Sequence, residues 1–214
     1  PTYMDHSSRK FEEYENWAEF YPDSEEHMPP SGSIPTARGK TARITIFVDA
    51  DHAHDVVSRR SVTGILLFIN NTPIQWVSKR QKTVETSTYG SELVAARIAT
   101  ELAIEYRYAM RMLGVPMDEP VTMLGDNQAV ILNTTVPSSM LKKKHNAVCY
   151  HRVREAIAAK IIRFAHVRSE ENLADICTKP LGGIKFWAIV KPLLFRSPKR
   201  PLETASVSRS PVNN

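Results

Sequence analysis

The spacing of apolar residues changes from segment to segment along the chain, and each spacing predicts an element. Arg43-Ile44-Thr45-Ile46-Phe47-Val48-Asp49 is a β-branched run that ends in an acid, and it reads as a strand. Residues 62–69 form a second strand, Asn70-Asn71 a turn, and residues 72–77 a third strand, so the three make a hairpin meander. From residue 91 to 113 the period becomes helical. Leu93, Ala96, Ala99, Ala103, Tyr106 and Met110 recur at intervals of three and four or their sums, and Gly114 and Pro116 close the helix. Residues 121–125 are a fourth strand, followed by a short helix from Asn127. A helix over about 146–160, a strand over 161–166, a loop and a final helix from about Leu173 complete the pattern. The order βββαβαβα suggests an α/β fold, a mixed sheet with helices on its faces.

The two ends read differently. Residues 1–40 carry no sustained period and include the breaker-rich run Pro29-Pro30-Ser31-Gly32-Ser33-Ile34-Pro35. Phe11, Tyr14, Trp17, Phe20 and Tyr21 recur at roughly helical spacing, which predicts a short amphipathic helix ahead of that linker. Residues 197–214 are rich in Ser, Pro and Arg and read as a disordered tail. The expected organisation is an N-terminal extension over 1–40, one domain over 41–196, and the tail. The chain starts at Pro1 and not at Met, which suggests a segment of a longer polypeptide.

With 42% hydrophobic and 24% charged residues, the 214-residue chain has the composition of a globular protein. Its formal charge of +5 is compatible with a polyanionic partner without demanding one. Ile65-Leu66-Leu67-Phe68-Ile69 has the length of a buried strand, far short of the roughly 18–20 apolar residues that span a bilayer, so no membrane partner is expected. Cys149 and Cys177 form no CxxC pair and are expected to be reduced thiols in a cytosolic protein.

Four acids fall where this architecture can bring them together. Asp49 ends the first strand, Glu92 opens the long helix, Asp126 ends the fourth strand, and Asp175 lies in the first turn of the last helix. Ligands of open α/β sheets gather outside the carboxyl ends of strands. Taken singly, each acid is more often a cap or turn residue, because the helix dipole favours acids at N-termini. Together they make an all-oxygen donor set without His or Cys, which suits Mg²⁺ or Mn²⁺ better than Zn²⁺. A pair of such ions roughly 3.5–4 Å apart can activate a water and stabilise the leaving oxygen in phosphodiester cleavage.

The motifs around these acids carry a resemblance. Phe47-Val48-Asp49-Ala50-Asp51, Arg59-Arg60-Ser61-Val62-Thr63-Gly64 and Trp76-Val77-Ser78-Lys79-Arg80-Gln81-Lys82-Thr83-Val84 come first. Gly90-Ser91-Glu92-Leu93-Val94-Ala95, Gly125-Asp126-Asn127-Gln128-Ala129, Lys144-His145, Tyr150-His151-Arg152-Val153-Arg154-Glu155 and His166-Val167 follow. Asn172-Leu173-Ala174-Asp175-Ile176-Cys177-Thr178-Lys179-Pro180-Leu181 closes the series. In this order, over about residues 43–182, the chain resembles the ribonuclease H domain of copia-type retrotransposon Pol polyproteins. The resemblance implies a ribonuclease-H-like fold, a five-stranded mixed sheet with helices on both faces and the second strand antiparallel to the rest. It implies Asp49, Glu92, Asp126 and Asp175 as ligands of two Mg²⁺ ions, for which Mn²⁺ can substitute, and hydrolysis of the RNA strand of RNA–DNA hybrids. The reverse transcriptase domain of the same polyprotein is the implied partner beside the hybrid, and the cytoplasm (in a virus-like particle) or the nucleus the implied compartment.

His166 ends the last strand. In many ribonucleases H a histidine ahead of the final acid assists proton transfer or product release, but the loop before Asp175 is shorter here than in cellular enzymes, and a half-buried strand-end histidine is an equal reading. Arg59, Arg60, Lys79, Arg80 and Lys82 flank the hairpin and Lys142, Lys143 and Lys144 form a second basic cluster. Such runs usually solvate a face; beside an acidic nuclease site they would hold phosphates, positioning a duplex without reading its sequence. Ser87, Thr88, Asn127 and Gln128 lie beside the predicted site, within reach of sugar 2′-hydroxyls, although capping of the long helix is the stronger reading for Ser87 or Thr88.

Three further readings are weaker. The Asp49–Asp55 segment, with His52 and His54, looks like a metal cluster but reads as a polar loop for all but Asp49, with Asp51 able to support a ligand from the same strand face. His145, Cys149 and His151 suggest zinc but lack a fourth ligand. An integrase-type core shares the fold, but there the catalytic Glu follows two Asp residues, whereas Glu92 lies between Asp49 and Asp126. A non-catalytic tether serving the polymerase is the main alternative to an enzyme.

Overall fold

The computed structural model of the chain describes residues 11, 14–30, 32–53 and 55–194. The expected tail over 197–214, most of residues 1–13, and His54 lie outside the described residues.

Five strands form one sheet in the order β3-β2-β1-β4-β5. They are β1 (Ile44–Asp51), β2 (Val62–Ile69), β3 (Thr72–Arg80), β4 (Val121–Gly125) and β5 (Ile162–His166). β2 runs antiparallel to β1 and β3, while β1, β4 and β5 are parallel, as expected for the second strand of the resemblance. β3 extends past the predicted end at residue 77 because Ser78, Lys79 and Arg80 keep pairing with β2 although all three are exposed. Their polarity hides the strand from a hydrophobic pattern.

Alternation along β1 sorts the two cores. Ile44, Ile46, Val48 and Ala50 face the core shared with α2 (Thr88–Met112) and α4 (Ala147–Ala158), whose Leu93, Ala96, Ala99, Tyr150 and Val153 are buried there. Phe47 faces the opposite side, with Leu66, Phe68, Leu124, Leu173 and Ile189. Helices thus cover both faces. A smaller α3 (Gln128–Thr135) follows β4 and is capped by Asn127, whose Oδ1 accepts the Val130 N–H at 3.2 Å.

The predicted final helix is two pieces. α5 (Asp175–Thr178) stops after one turn, Lys179 is extended at φ −142° and ψ 151°, and α6 (Gly183–Leu193) begins four residues later. Pro180 supplies no N–H for a continued helix, and Gly182 and Gly183 follow it. The predicted amphipathic helix near the N-terminus shortens to α1 (Trp17–Phe20). The described part of the extension lies on the domain. Glu26 pairs with Arg107 at 2.9 Å and with Arg111 of α2, and Tyr21 bonds His151 at 2.8 Å and Arg154 at 3.0 Å on α4.

Candidate metal centre

Parallel pairing of β1 with β4 sets the site. Phe47 is level with Leu124, so two residues on Asp49 and Asp126 emerge side by side at the carboxyl ends. Glu92 arrives from the first turns of α2, where its carboxylate accepts the backbone N–H of Ala50. The start of that helix is fixed by buried polar groups: Ser91 Oγ lies 2.8 Å from Ser61 Oγ, and Gln81 Nε2 donates to Ser91 O at 2.9 Å. One carboxylate oxygen each from Asp49, Glu92 and Asp126 lies within 4.8 Å of the others. Oxygens opposite one another on an ion with bonds of about 2.1 Å are separated by roughly 4.2 Å, so the spacing and the all-carboxylate donor set fit a hard divalent cation.

Asp175, the fourth predicted ligand, is fully buried next to this trio but outside it. Its oxygens face ammonium groups, with Lys179 Nζ 2.8 Å from Oδ1 and Lys185 Nζ 2.5 Å from Oδ2. Lys179 Nζ is also 3.6 Å from Asp49 Oδ2, the oxygen to which the Thr178 hydroxyl donates. Asn172 pins the entry to α5, donating to Val48 O at 3.0 Å and accepting from Ala174 N at 3.2 Å. The sequence motifs include Asn172, Thr178 and Lys179 without assigning them to the site, and Lys185 lies outside every motif. The i, i+4 spacing of Asp175 and Lys179 was the available signal.

Burial raises the Asp49 carboxyl to about 6, with the charges of Asp175 and Asp126 adding to the rise and Thr178 and Lys179 opposing it. Glu92 is held well above the usual carboxylate range by burial first, then by Asp49 and Asp126. A trio so placed resists full ionisation unless a cation joins it.

The carboxylates open into a groove of about 740 Å³ that also meets Asp51, His52, Thr88, Asn127, Gln128, His166 and Lys179. β5 pairing sets His166 level with Gly125, one residue from Asp126. Ser87 is instead the N-cap of α2, accepting from Gly90 N at 3.3 Å, and Lys143 donates to it at 3.0 Å. Lys79, Arg80 and Lys82 border a separate hollow with Arg97 and His145, and Arg80 also pairs with Asp55. Arg59, Arg60, Lys142 and Lys144 are exposed and outside the groove lining. Asp55 closes its own turn by accepting from Val57 N at 3.0 Å and Ser58 Oγ at 2.9 Å, whereas Ala50 and Asp51, expected in the polar loop, continue β1 against Thr63 and Val62. Zinc ligands do not assemble among the described residues: His145 lies 3.7 Å from Glu85, and His151 bonds Tyr21.

No family model matches the chain. Over 160 residues, 73% of the chain, it is 29% identical to the retrovirus-related Pol polyprotein from transposon RE2 of Arabidopsis thaliana, of which it covers 11%. It is 32% identical over 157 residues, 72% of the chain, to the corresponding polyprotein from transposon TNT 1-94 of Nicotiana tabacum, again covering 11%. Both relatives are retrovirus-related Pol polyproteins from transposons. The chain spans about a tenth of the length of these relatives. Among solved structures, LC11-RNase H1, isolated from compost and solved in complex with RNA/DNA hybrid, is similar with a TM-score of 0.51 and 14% identity, over 64% of this chain and 94% of that one. The five-stranded mixed sheet described above is the ribonuclease H fold. None of the described helices is long and apolar enough to cross a membrane.

Proposed function

We propose that the chain is a ribonuclease H that hydrolyses the RNA strand of RNA–DNA hybrids with divalent metal, as the segment that follows the reverse transcriptase in a retrotransposon Pol polyprotein. The observation that carries this reading is the convergence of Asp49, Glu92 and Asp126 at the ends of two neighbouring parallel strands. These three would hold an Mg²⁺ or Mn²⁺ ion, and Asp49 with Asp175 would serve a second. Bound divalent ions supply Lewis acidity, polarising the phosphate and making water a stronger nucleophile near neutral pH. Water oxygen bonds to phosphorus as the P–O3′ bond breaks, leaving a 3′-hydroxyl and a 5′-phosphate. His166, on the groove wall beside Asp126, would exchange the proton of the leaving oxygen. Thr88, Asn127 and Gln128 line the groove and would meet the sugar–phosphate backbone there, where 2′-hydroxyls distinguish RNA from DNA. The exposed bases Arg59, Arg60, Lys79, Lys82, Lys142 and Lys144 would attract the duplex from beyond the groove.

The test is incubation of the purified chain with labelled RNA–DNA hybrid, with and without Mg²⁺, beside double-stranded DNA and single-stranded RNA. Hybrid-specific, chelator-sensitive cleavage of the RNA strand is expected. Hybrid binding with no cleavage in the presence of Mg²⁺ would point to a non-catalytic tether instead.

A further inference from the structure

Both oxygens of Asp175 are already engaged by the protein's own cations. Lys179 Nζ bridges from Asp175 Oδ1 at 2.8 Å to Asp49 Oδ2 at 3.6 Å, while Lys185 Nζ holds Asp175 Oδ2 at 2.5 Å. Asp49 Oδ2 is therefore shared by the Thr178 hydroxyl and an ammonium, on the same oxygen. The two lysine side chains are 38% and 41% exposed, although the carboxylate they clasp is wholly buried. Either ammonium can therefore swing out on its flexible stem without opening the core.

Four carboxylates against two ammonium groups leave a formal charge of −2, which one divalent ion at Asp49, Glu92 and Asp126 balances. A second divalent ion at Asp49 and Asp175 would carry the cluster to a positive charge and would face Lys179 across the same oxygens. A nucleic-acid backbone changes both conditions. It brings anionic phosphates into the groove, and Lys179, which lines that groove, gains an alternative partner.

We propose that Lys179 is an internal counter-ion that competes with a second divalent ion for Asp49 and Asp175, so that the chain alone takes up one ion and the second enters when bound backbone phosphate draws Lys179 away. This rests on the metal-dependent reading above. Lys179 acts by holding or releasing carboxylates, a positioning role, and the same ammonium stabilises the acidic cluster of the metal-free protein.

The experiment is a Mn²⁺ titration of the full chain, with free Mn²⁺ read by electron paramagnetic resonance, on wild type, Lys179→Met, Lys179→Arg and Lys185→Met. Wild type is expected to bind one ion, and a second at least tenfold more weakly than Lys179→Met does. Lys179→Arg, which keeps the charge, should behave as wild type. Adding hybrid whose RNA strand is 2′-O-methylated, and so uncleavable, should raise wild type to two ions. Metal-free Lys179→Met should melt below wild type. If Lys179→Met and wild type give superimposable Mn²⁺ isotherms, or if Lys179→Arg follows Lys179→Met, the counter-ion role is overturned. Should Lys179→Met not fold by circular dichroism, Lys185→Met decides, because it frees one Asp175 oxygen and should also strengthen the second ion. Wild type that binds Mn²⁺ and cleaves hybrid while the variants change nothing overturns this inference alone. Wild type that binds no Mn²⁺ overturns the metal-dependent reading with it.

Discussion

Gly64 lies directly across the β1–β2 ladder from Asp49, and the backbone of α5 rests against it. A β-carbon on Gly64 would sit 2.8 Å from Ala174 O and 3.1 Å from Cys177 Cβ, and would run into the Thr178 methyl. Absence of a side chain there lets α5 descend far enough for the Thr178 hydroxyl to reach Asp49. Gly64→Ala should therefore lower stability by about 1–3 kcal/mol, the usual cost of overpacking. Hybrid cleavage should fall at least tenfold as Thr178 and Asp175 shift. Thermal melts and initial rates check this, and an unchanged melting temperature would refute the close approach.

Asp49→Asn and Asp126→Asn should each reduce hybrid cleavage by at least a hundredfold while circular dichroism and hybrid binding persist. Asp126 helps to push Asp49 and Glu92 upward, so removing its charge should also raise the melting temperature of the metal-free protein and blunt the gain on adding Mg²⁺. Wild type should gain about 2.7 kcal/mol at a hundredfold excess of Mg²⁺ over its dissociation constant. Paired melts with and without Mg²⁺ decide. A metal-free Asp126→Asn that melts lower, with the same Mg²⁺ response, would make these acids ordinary cap and turn residues.

Mg²⁺ and Mn²⁺ should support turnover, whereas Ca²⁺ should permit hybrid binding with little cleavage. Ca²⁺ bonds at about 2.3–2.6 Å with looser geometry, which misplaces the attacking water relative to an ion held at about 2.1 Å. Equal rates in Ca²⁺, or persistence in excess chelator, would contradict metal-assisted hydrolysis.

Glu26 gives a pH-dependent test remote from the carboxylates. Burial alone would raise its carboxyl, but hydrogen bonds and charge from Arg107 and Arg111 outweigh burial and bring it from 4.5 to about 2. The folded state thus holds fewer protons than the unfolded one between those values. The stabilisation is complete above about 4.5 and is lost as pH falls through about 2. Glu26→Gln should cost about 1–2 kcal/mol at pH 7, discounted for solvent screening, with the difference from wild type shrinking below pH 4.5. Melts across pH 2–7 measure it, and a gap independent of pH would show that the ion pairs contribute nothing.

The strands and the long helix were legible because their burial follows the period of the chain: β1 alternates between two cores, and Leu93, Ala96, Ala99 and Ala103 share one face. The placement of Asp49, Glu92 and Asp126 followed from the same periods. Contacts between residues remote in sequence were not legible. Glu26 meets Arg107 across 81 residues, and nothing local marks either as a partner. The break after α5 was signalled by Pro180 and the glycine pair, which the expectation of one final helix from about Leu173 passed over. Lys185 reaches Asp175 only because that break folds α6 back.

That ion pair gives α6 and the carboxylates a common stake. Lys185 stands in the first turn of a helix whose Ile184 and Trp187 are largely exposed, and of whose residues Ile189 is in the buried core. Any event that takes the Asp175 oxygens weakens the hold on α6. Thermodynamic linkage requires the converse in equal measure: a factor by which cation uptake favours release of α6 is the factor by which release of α6 favours cation uptake. Whatever steadies or displaces this helix therefore acts as an effector of the carboxylate site, even without touching a carboxylate.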